Sequence, residues 1–194
     1  MNALFASHPP SRERVAANRK KAGGLPPGKR NKQAYQRAIR QIVRDKIAYQ
    51  THENAIAAAN KKQWQRAAVP ADKAIAAQPK EALFWITRGR LHQQNNSNKN
   101  ALSSYNKAIR LSRNYFAGYL YRGLLHHKTN QLAGAKRDLI ASNRLLETQP
   151  ANFYLGEIAL QQGQRKTAIN FYRKAASGGG ELGQAALRRL QELT

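Results

Sequence analysis

His52-Glu53-Asn54-Ala55-Ile56 is the one string in this chain that looks like catalytic chemistry. A zinc-peptidase helix carries H-E-x-x-H, because two imidazoles one helical turn apart reach the same metal and the glutamate beside them serves as general base. Here the place of the second histidine is taken by Ile56, so the remainder holds no metal and the near match is fortuitous. His126 and His127 are adjacent, and adjacent residues of a helix point to different faces, which makes them a poor chelate. No glycine-rich phosphate loop opens a helix, and spacing singles out no Ser/His/Asp set. With no cysteine there is neither a disulfide framework nor a thiolate metal site. The sequence therefore points to no catalytic residue, no metal ligand and no cofactor on this chain.

What it does carry is a period. Ala67, Ala101, Ala135 and Ala168 recur at intervals of 34, 34 and 33 residues, and Gly89, Gly123 and Gly156 stand twelve residues before the last three. Tyr105, Leu139 and Tyr172 follow those alanines by four residues; Ala74, Ala108, Ser142 and Ala175 follow by seven. Small residues at such spacing let two helices cross closely while a bulky one fills the space beside them, as in an array of helical hairpins. The pattern resembles the tetratricopeptide repeat. Repeat two carries it as Trp85, Gly89, Ala101, Tyr105 and Ala108, repeat three as Tyr119, Gly123, Ala135 and Leu139, and repeat four as Leu155, Gly156, Ala168, Tyr172 and Ala175. Repeat one is degenerate: Thr51 and Ala55 replace the aromatic and the glycine, and Pro70 falls inside its second helix, where proline removes a backbone bond and kinks. Arg88 and Arg122 stand where leucine is usual, either packing their stems with heads in water or touching a ligand. The fold this implies is all-α, a right-handed tetratricopeptide solenoid of about four hairpins with a C-terminal capping helix.

Around the repeats the chain reads as follows. Ser11 caps a short basic helix to about Ala22, the Gly/Pro-rich stretch 23–30 is a linker, and helical spacing of Tyr35, Ile39, Ile42, Val43 and Ile47 marks a helix over 31–47. The array is expected over 48–180 and the capping helix over 181–194, with Leu182, Ala186, Leu190 and Leu193 inward and Arg188, Arg189 and Glu192 towards solvent. No apolar run approaches the ~18 residues of a membrane helix. Met1-Asn2-Ala3-Leu4-Phe5 has neither the basic nor the apolar region of a signal peptide. Lys and Arg number 34 against 10 Asp and Glu, a net charge of +24, spread over the whole chain. Such a balance favours polyanions: acidic proteins, anionic surfaces or nucleic acid. Nucleic acid is disfavoured because no aromatic-rich basic loop or known binding motif accompanies the charge.

Leu4-Phe5-Ala6-Ser7-His8-Pro9-Pro10-Ser11-Arg12-Glu13-Arg14-Val15 resembles the segment that closes the catalytic domain of HtpX-like zinc metallopeptidases, (Ser/Thr)-His-Pro-Pro-x-x-x-Arg-(Val/Ile). Some of these bacterial enzymes, of the periplasmic β-barrel assembly-enhancing type, continue into a tetratricopeptide array, and the order of segments here agrees. The resemblance implies a parent enzyme with zinc in a catalytic core upstream of this chain. It makes 1–22 the closing segment, with His8, Arg12 and Arg14 at the interface to the missing domain. It also implies a periplasmic or outer-membrane-associated place and a role in envelope protein quality control. Such arrays bind protein segments on the concave face built by the first helix of each repeat. From the repeat register that face is expected to include Leu83, Ile86, Arg90 and Gln93, then Ala117, Leu120, Tyr121, Leu124, His127 and Lys128, then Phe153, Glu157 and Leu160. The function expected is a non-catalytic module recruiting protein substrates or partners for the peptidase; the alternative is a free-standing basic scaffold for an acidic protein.

Overall fold

The computed structural model of the protein describes residues 16, 19–21, 23–24 and 32–193. His8, Arg12, Arg14, the Ser11 cap and most of the 23–30 linker lie outside the described residues. All regular structure among the described residues is helical. The chain divides into two compact units, 1–41 and 42–194. The helices are α1 (Lys32–Asn60), α2 (Trp64–Ala77), α3 (Ala82–Gln94), α4 (Asn98–Leu111), α5 (Phe116–Lys128), α6 (Leu132–Leu145), α7 (Gln149–Gln161), α8 (Arg165–Ala176) and α9 (Gly180–Leu193). The helix expected over 31–47 and the first helix of hairpin one are one continuous element, α1.

The hairpins are α1/α2, α3/α4, α5/α6 and α7/α8. Each turns through a residue in the left-handed region: Lys62, Asn96, Asn130 and Gly163, at φ 58°, 54°, 57° and 71°. Within hairpins two to four the crossing is a glycine against a bulky side chain. A Cβ on Gly156 would lie 2.7 Å from Cε1 of Tyr172, and one on Gly123 would lie 2.9 Å from Cγ of Leu139; Gly89 faces Tyr105 in the same way. Hairpin one makes the crossing from alanines instead: Ala55, Ala67 and Ala71 share one buried cluster with Leu91, backed by Trp64. Pro70 does not end α2, which continues to Ala77.

Arg88 and Arg122 engage their heads with neighbouring helices, a role that neither reading made from the sequence gave them. Arg88 Nη1 donates to Asp72 Oδ1 at 2.5 Å, joining hairpin two to hairpin one. Arg122 forks onto Asp138 through Nε (2.6 Å) and Nη2 (2.7 Å), and its Nη1 donates to Asn106 of the preceding hairpin at 2.7 Å. Asp138 is only 1% exposed, and its hydrogen bonds hold the Arg122 pKa above its ordinary value. The corresponding contact between hairpins three and four is apolar, Ile140 against Leu155.

α9 closes the array. Ala186, Leu193 and Leu190 join Ala159, Ala168, Tyr172 and Ala175 in one cluster, and Arg165 donates from Nε to the Leu193 carbonyl at 3.1 Å. Arg189 keeps part of its side chain in solvent and also forks onto the Glu157 carboxylate at 2.9 and 3.1 Å.

Candidate protein-binding face

Successive first helices, α3 with α5 and α5 with α7, pack on one another, and α7 packs on α9. Among the described residues no such contact joins successive second helices. The first helices therefore form the inner, concave side of the array and the second helices its outer side.

The concave face is less open than its sequence register implied. Ile86 is 3% exposed in a cluster with Ala82, Ala108 and Ala117; Leu120 is 6% exposed in the next cluster. Both are core residues rather than groove contacts, because their register position faces the neighbouring hairpin, and Ala117 is buried with them. Leu83 packs on Ala48, Ala74 and Phe84. Leu124 is half-buried against the Leu120 cluster, and Leu160 against the cluster under α9.

The polar and aromatic positions form two interlocked groups. The Arg90 guanidinium lies 5.1 Å from the Tyr121 ring centroid, Tyr121 stacks on Tyr105 at 6.1 Å, and the Tyr105 hydroxyl donates to Gln93 Oε1. His127 meets Tyr154 edge-on at 4.8 Å; Phe153 touches Tyr154 and Tyr172 at 5.4 and 5.9 Å. His127 Nε2 is buried without a hydrogen-bond partner, and burial lowers its pKa although Glu157 opposes the shift. Glu157 also accepts from the Tyr172 hydroxyl at 2.6 Å. Lys128 stays exposed at the end of α5. Arg90, Tyr121, Leu124, Lys128 and Phe153 thus present surface on the inner side, whereas Gln93, His127 and Glu157 are engaged with neighbours.

One opening on this face had no sequence forecast. A cavity of about 140 Å³ lies between α1 and α3, lined by Ile56, Ala59, Asn60, Trp64, Thr87, Arg90, Leu91 and Gln94. Below it His52 Nε2 and Thr87 Oγ1 are bonded at 2.8 Å across the two helices, and burial lowers the His52 pKa. The signal was present in the repeat register: Ala71 occupies the place that Tyr105 and Tyr172 hold in their hairpins.

Within the hairpins the outer helices are more basic than the inner ones. Lys73, Lys99, Arg110, Arg137, Arg144 and Arg173 of the second helices are exposed. No group of three or more His, Cys, Asp or Glu placed to hold a metal occurs among the described residues. No described helix is long and apolar enough to cross a membrane.

The family model for the tetratricopeptide repeat matches residues 82–115 and 150–177, which are hairpin two and most of hairpin four. The chain carries tetratricopeptide repeats and has the fold of a tetratricopeptide solenoid. Solved structures agree on that fold. PilF of Pseudomonas aeruginosa superposes with a TM-score of 0.70 at 18% identity, over 77% of this chain and 68% of its own. The first tetratricopeptide domain of Spaghetti (RPAP3), solved with the HSP90 peptide SRMEEVD, gives 0.58 at 21%, over 61% and 95%. TTC0263 of Thermus thermophilus gives 0.60 at 18%, over 72% and 77%. At these identities the likeness concerns the fold alone. No curated protein sequence matches the chain significantly.

Proposed function

We propose that this tetratricopeptide array is a protein-binding module that holds an extended or helical segment of a partner against its concave face. The observation that carries this is the set Arg90, Tyr121, Leu124 and Phe153, aromatic and apolar surface with a cation beside it on the inner side of the array. Aromatic residues and arginine are the types that dominate binding energy at protein interfaces. The RPAP3 domain of the same fold was solved with a peptide, which lends the reading support by analogy.

The finer reading rests on the closing-segment resemblance at residues 4–15 and the order of segments after it. In that reading the array serves a zinc metallopeptidase of envelope quality control in the periplasm or at the outer membrane, and delivers protein substrates to it. His8, Arg12 and Arg14 then tie the segment to the catalytic domain. An H-E-x-x-H helix upstream of Met1 in the full reading frame is the required companion, and a frame without one ends this reading. The purified chain is expected to have no peptidase activity; one tightly held zinc per chain would contradict that.

The second reading, a free-standing scaffold for an acidic protein, is favoured by the net charge of +24 and by the exposed cations of the second helices. A salt titration of a bound client separates the two modes. Binding that survives high salt and is lost in Tyr121→Ala belongs to the groove. A steep logarithmic loss with salt that ignores Tyr121 belongs to diffuse polyanion attraction and overturns the groove.

A further inference from the structure

We infer that the cavity between α1 and α3 is an anchor site for one aromatic side chain of the partner segment, with an acidic neighbour of that side chain held by the cations at the cavity mouth. The inference rests on the peptide-binding reading above and specifies its ligand.

Hairpin two fills the equivalent place from within. The Tyr105 ring lies against Gly89, its hydroxyl donates to Gln93, and its face stacks on Tyr121. One repeat earlier each of the two groove-side partners has a smaller counterpart: Ala59 for Gln93 and Thr87 for Tyr121. The ring itself is replaced by Ala71, and Gly89 by Ala55, whose single methyl does not replace a phenol. Ala59 and Thr87 line the cavity; Ala55 and Ala71 belong to the packed cluster beneath, with Trp64 and Leu91. The cavity is therefore the place of a missing aromatic ring.

Its size agrees. About 140 Å³ is close to the ~150 Å³ apolar cavity that takes up benzene. It is well below the ~300–1,000 Å³ of sites for cofactors and drug-sized ligands. Trp64 and Leu91 give the ring apolar walls, while Asn60, Gln94 and Thr87 offer polar atoms to a phenolic hydroxyl.

The mouth selects the neighbour. Arg90 lines the cavity and is exposed, with no carboxylate partner among the described residues. Trp64 is shared with a second hollow of about 490 Å³, lined by Lys62, Gln63, Gln65, Arg66 and Asn95, which contains two exposed cations and no acid. A chain leaving the cavity in either direction meets positive charge. A peptide fits better than a nucleic acid, which uses successive open stacking platforms rather than one ring-sized recess.

Trp64 reports on both hollows. In a Trp85→Phe background it is the only tryptophan, and its emission is followed while the blocked peptide Gly-Phe-Asp-Glu-Gly is added. The emission is expected to shift saturably, with affinity falling ~10-fold or more for Gly-Ala-Asp-Glu-Gly. Arg66→Glu should weaken binding several-fold, and Arg173→Glu on the outer side should leave it unchanged. The double variant Ala55→Gly/Ala71→Tyr rebuilds the hairpin-two crossing and plugs the cavity. It should abolish the response while keeping or raising the melting temperature, so that loss of binding is not loss of fold. A folded double variant that binds as before overturns the anchor, as does an equal response to a short oligo-dT. A protein client that is lost in Tyr121→Ala but ignores the plug overturns the anchor and leaves the groove standing. Silence of Trp64 towards every peptide also overturns the anchor, the groove then being decided by the client titration alone.

Discussion

In repeat four a glycine of the first helix, Gly156, lies under the ring of Tyr172; in repeat one Ala55 and Ala71 occupy the same two places. Both pairs close a helix crossing with buried residues. They divide the volume differently: all on one partner in repeat four, evenly on both in repeat one. The ring reaches past the crossing to the concave surface, where the Tyr172 hydroxyl finds Glu157, whereas two methyl groups stop at the core. The difference teaches that a degenerate repeat need not be a weak one. Repeat one keeps its helix contact and gives up the side chain that would have sealed the groove.

The largest effect expected concerns two ion pairs, one inside hairpin three and one between hairpins one and two. The Arg122–Asp138 pair is nearly enclosed, with side chains 20% and 2% exposed, whereas Arg88–Asp72 in the first junction is 26% and 50% exposed. Asp138→Ala leaves the Arg122 guanidinium without its counter-charge in a desolvated site and should cost about 3 kcal/mol. At ~2–4 °C per kcal/mol for a chain of this size, the melting temperature falls by roughly 6–12 °C. Asp72→Ala, in the exposed pair, should cost only ~0.2–1 kcal/mol. Thermal or urea unfolding of both variants decides; equal losses would mean that burial does not separate the two pairs.

Next comes the crossing. Gly156→Ala puts a methyl 2.7 Å from Cε1 of the fully buried Tyr172, so the ring must shift, at a cost of ~1–3 kcal/mol. Ala55→Gly, in the repeat already built for a methyl, loses only packing and backbone restraint, ~0.5–1 kcal/mol. A Gly156→Ala protein as stable as the parent would show that the glycine is not required by the tyrosine.

A pH dependence follows from His52 at the first junction. Burial holds its pKa below the ordinary 6.5, against the opposing charges of Glu81 and Glu53. The unfolded chain therefore takes up the proton first as pH falls. The stability contributed by neutral His52 is complete above pH 6.5 and is lost progressively below it. The melting temperature should drop between pH 7 and pH 5, and His52→Gln should flatten that drop; an unaltered slope in the variant would assign it elsewhere.

Much of the architecture was legible in the residues. The alanine period, the Gly–Tyr pairs and the turn asparagines are local signals, and each states its own geometry: a small residue where backbones approach, a ring beside it, a residue tolerant of positive φ at the turn. The inner surface was only partly legible. Ile86 and Leu120 share a register with groove residues, but whether such a position faces solvent depends on how closely the next repeat sits, which no single helix records. Arg122 was misread for the same reason, since its partners Asp138 and Asn106 lie sixteen residues away on either side and belong to different helices. The cavity required a comparison across repeats, Ala71 against Tyr105 and Tyr172, rather than any motif within one.

The smallest effect is in the turns, where repeats one and four again differ. Lys62, Asn96, Asn130 and Gly163 hold the equivalent left-handed position. An ordinary L-residue pays ~1–2 kcal/mol there, asparagine less because its short side chain tolerates the conformation. Lys62→Gly relieves that strain but gives the unfolded chain more freedom, worth ~0.5–1 kcal/mol in the opposite direction. The balance is a gain of about 0.5 kcal/mol, a rise of ~1–2 °C in melting temperature. Gly163→Ala reverses the sign and should cost about 1 kcal/mol, with no steric clash involved because nothing lies within 4 Å of the added Cβ. Asn96→Gly should fall near zero between them. Differential scanning calorimetry of the three variants gives the order directly, and a destabilised Lys62→Gly would mean that the lysine side chain makes a contact in the first turn that outweighs its backbone strain.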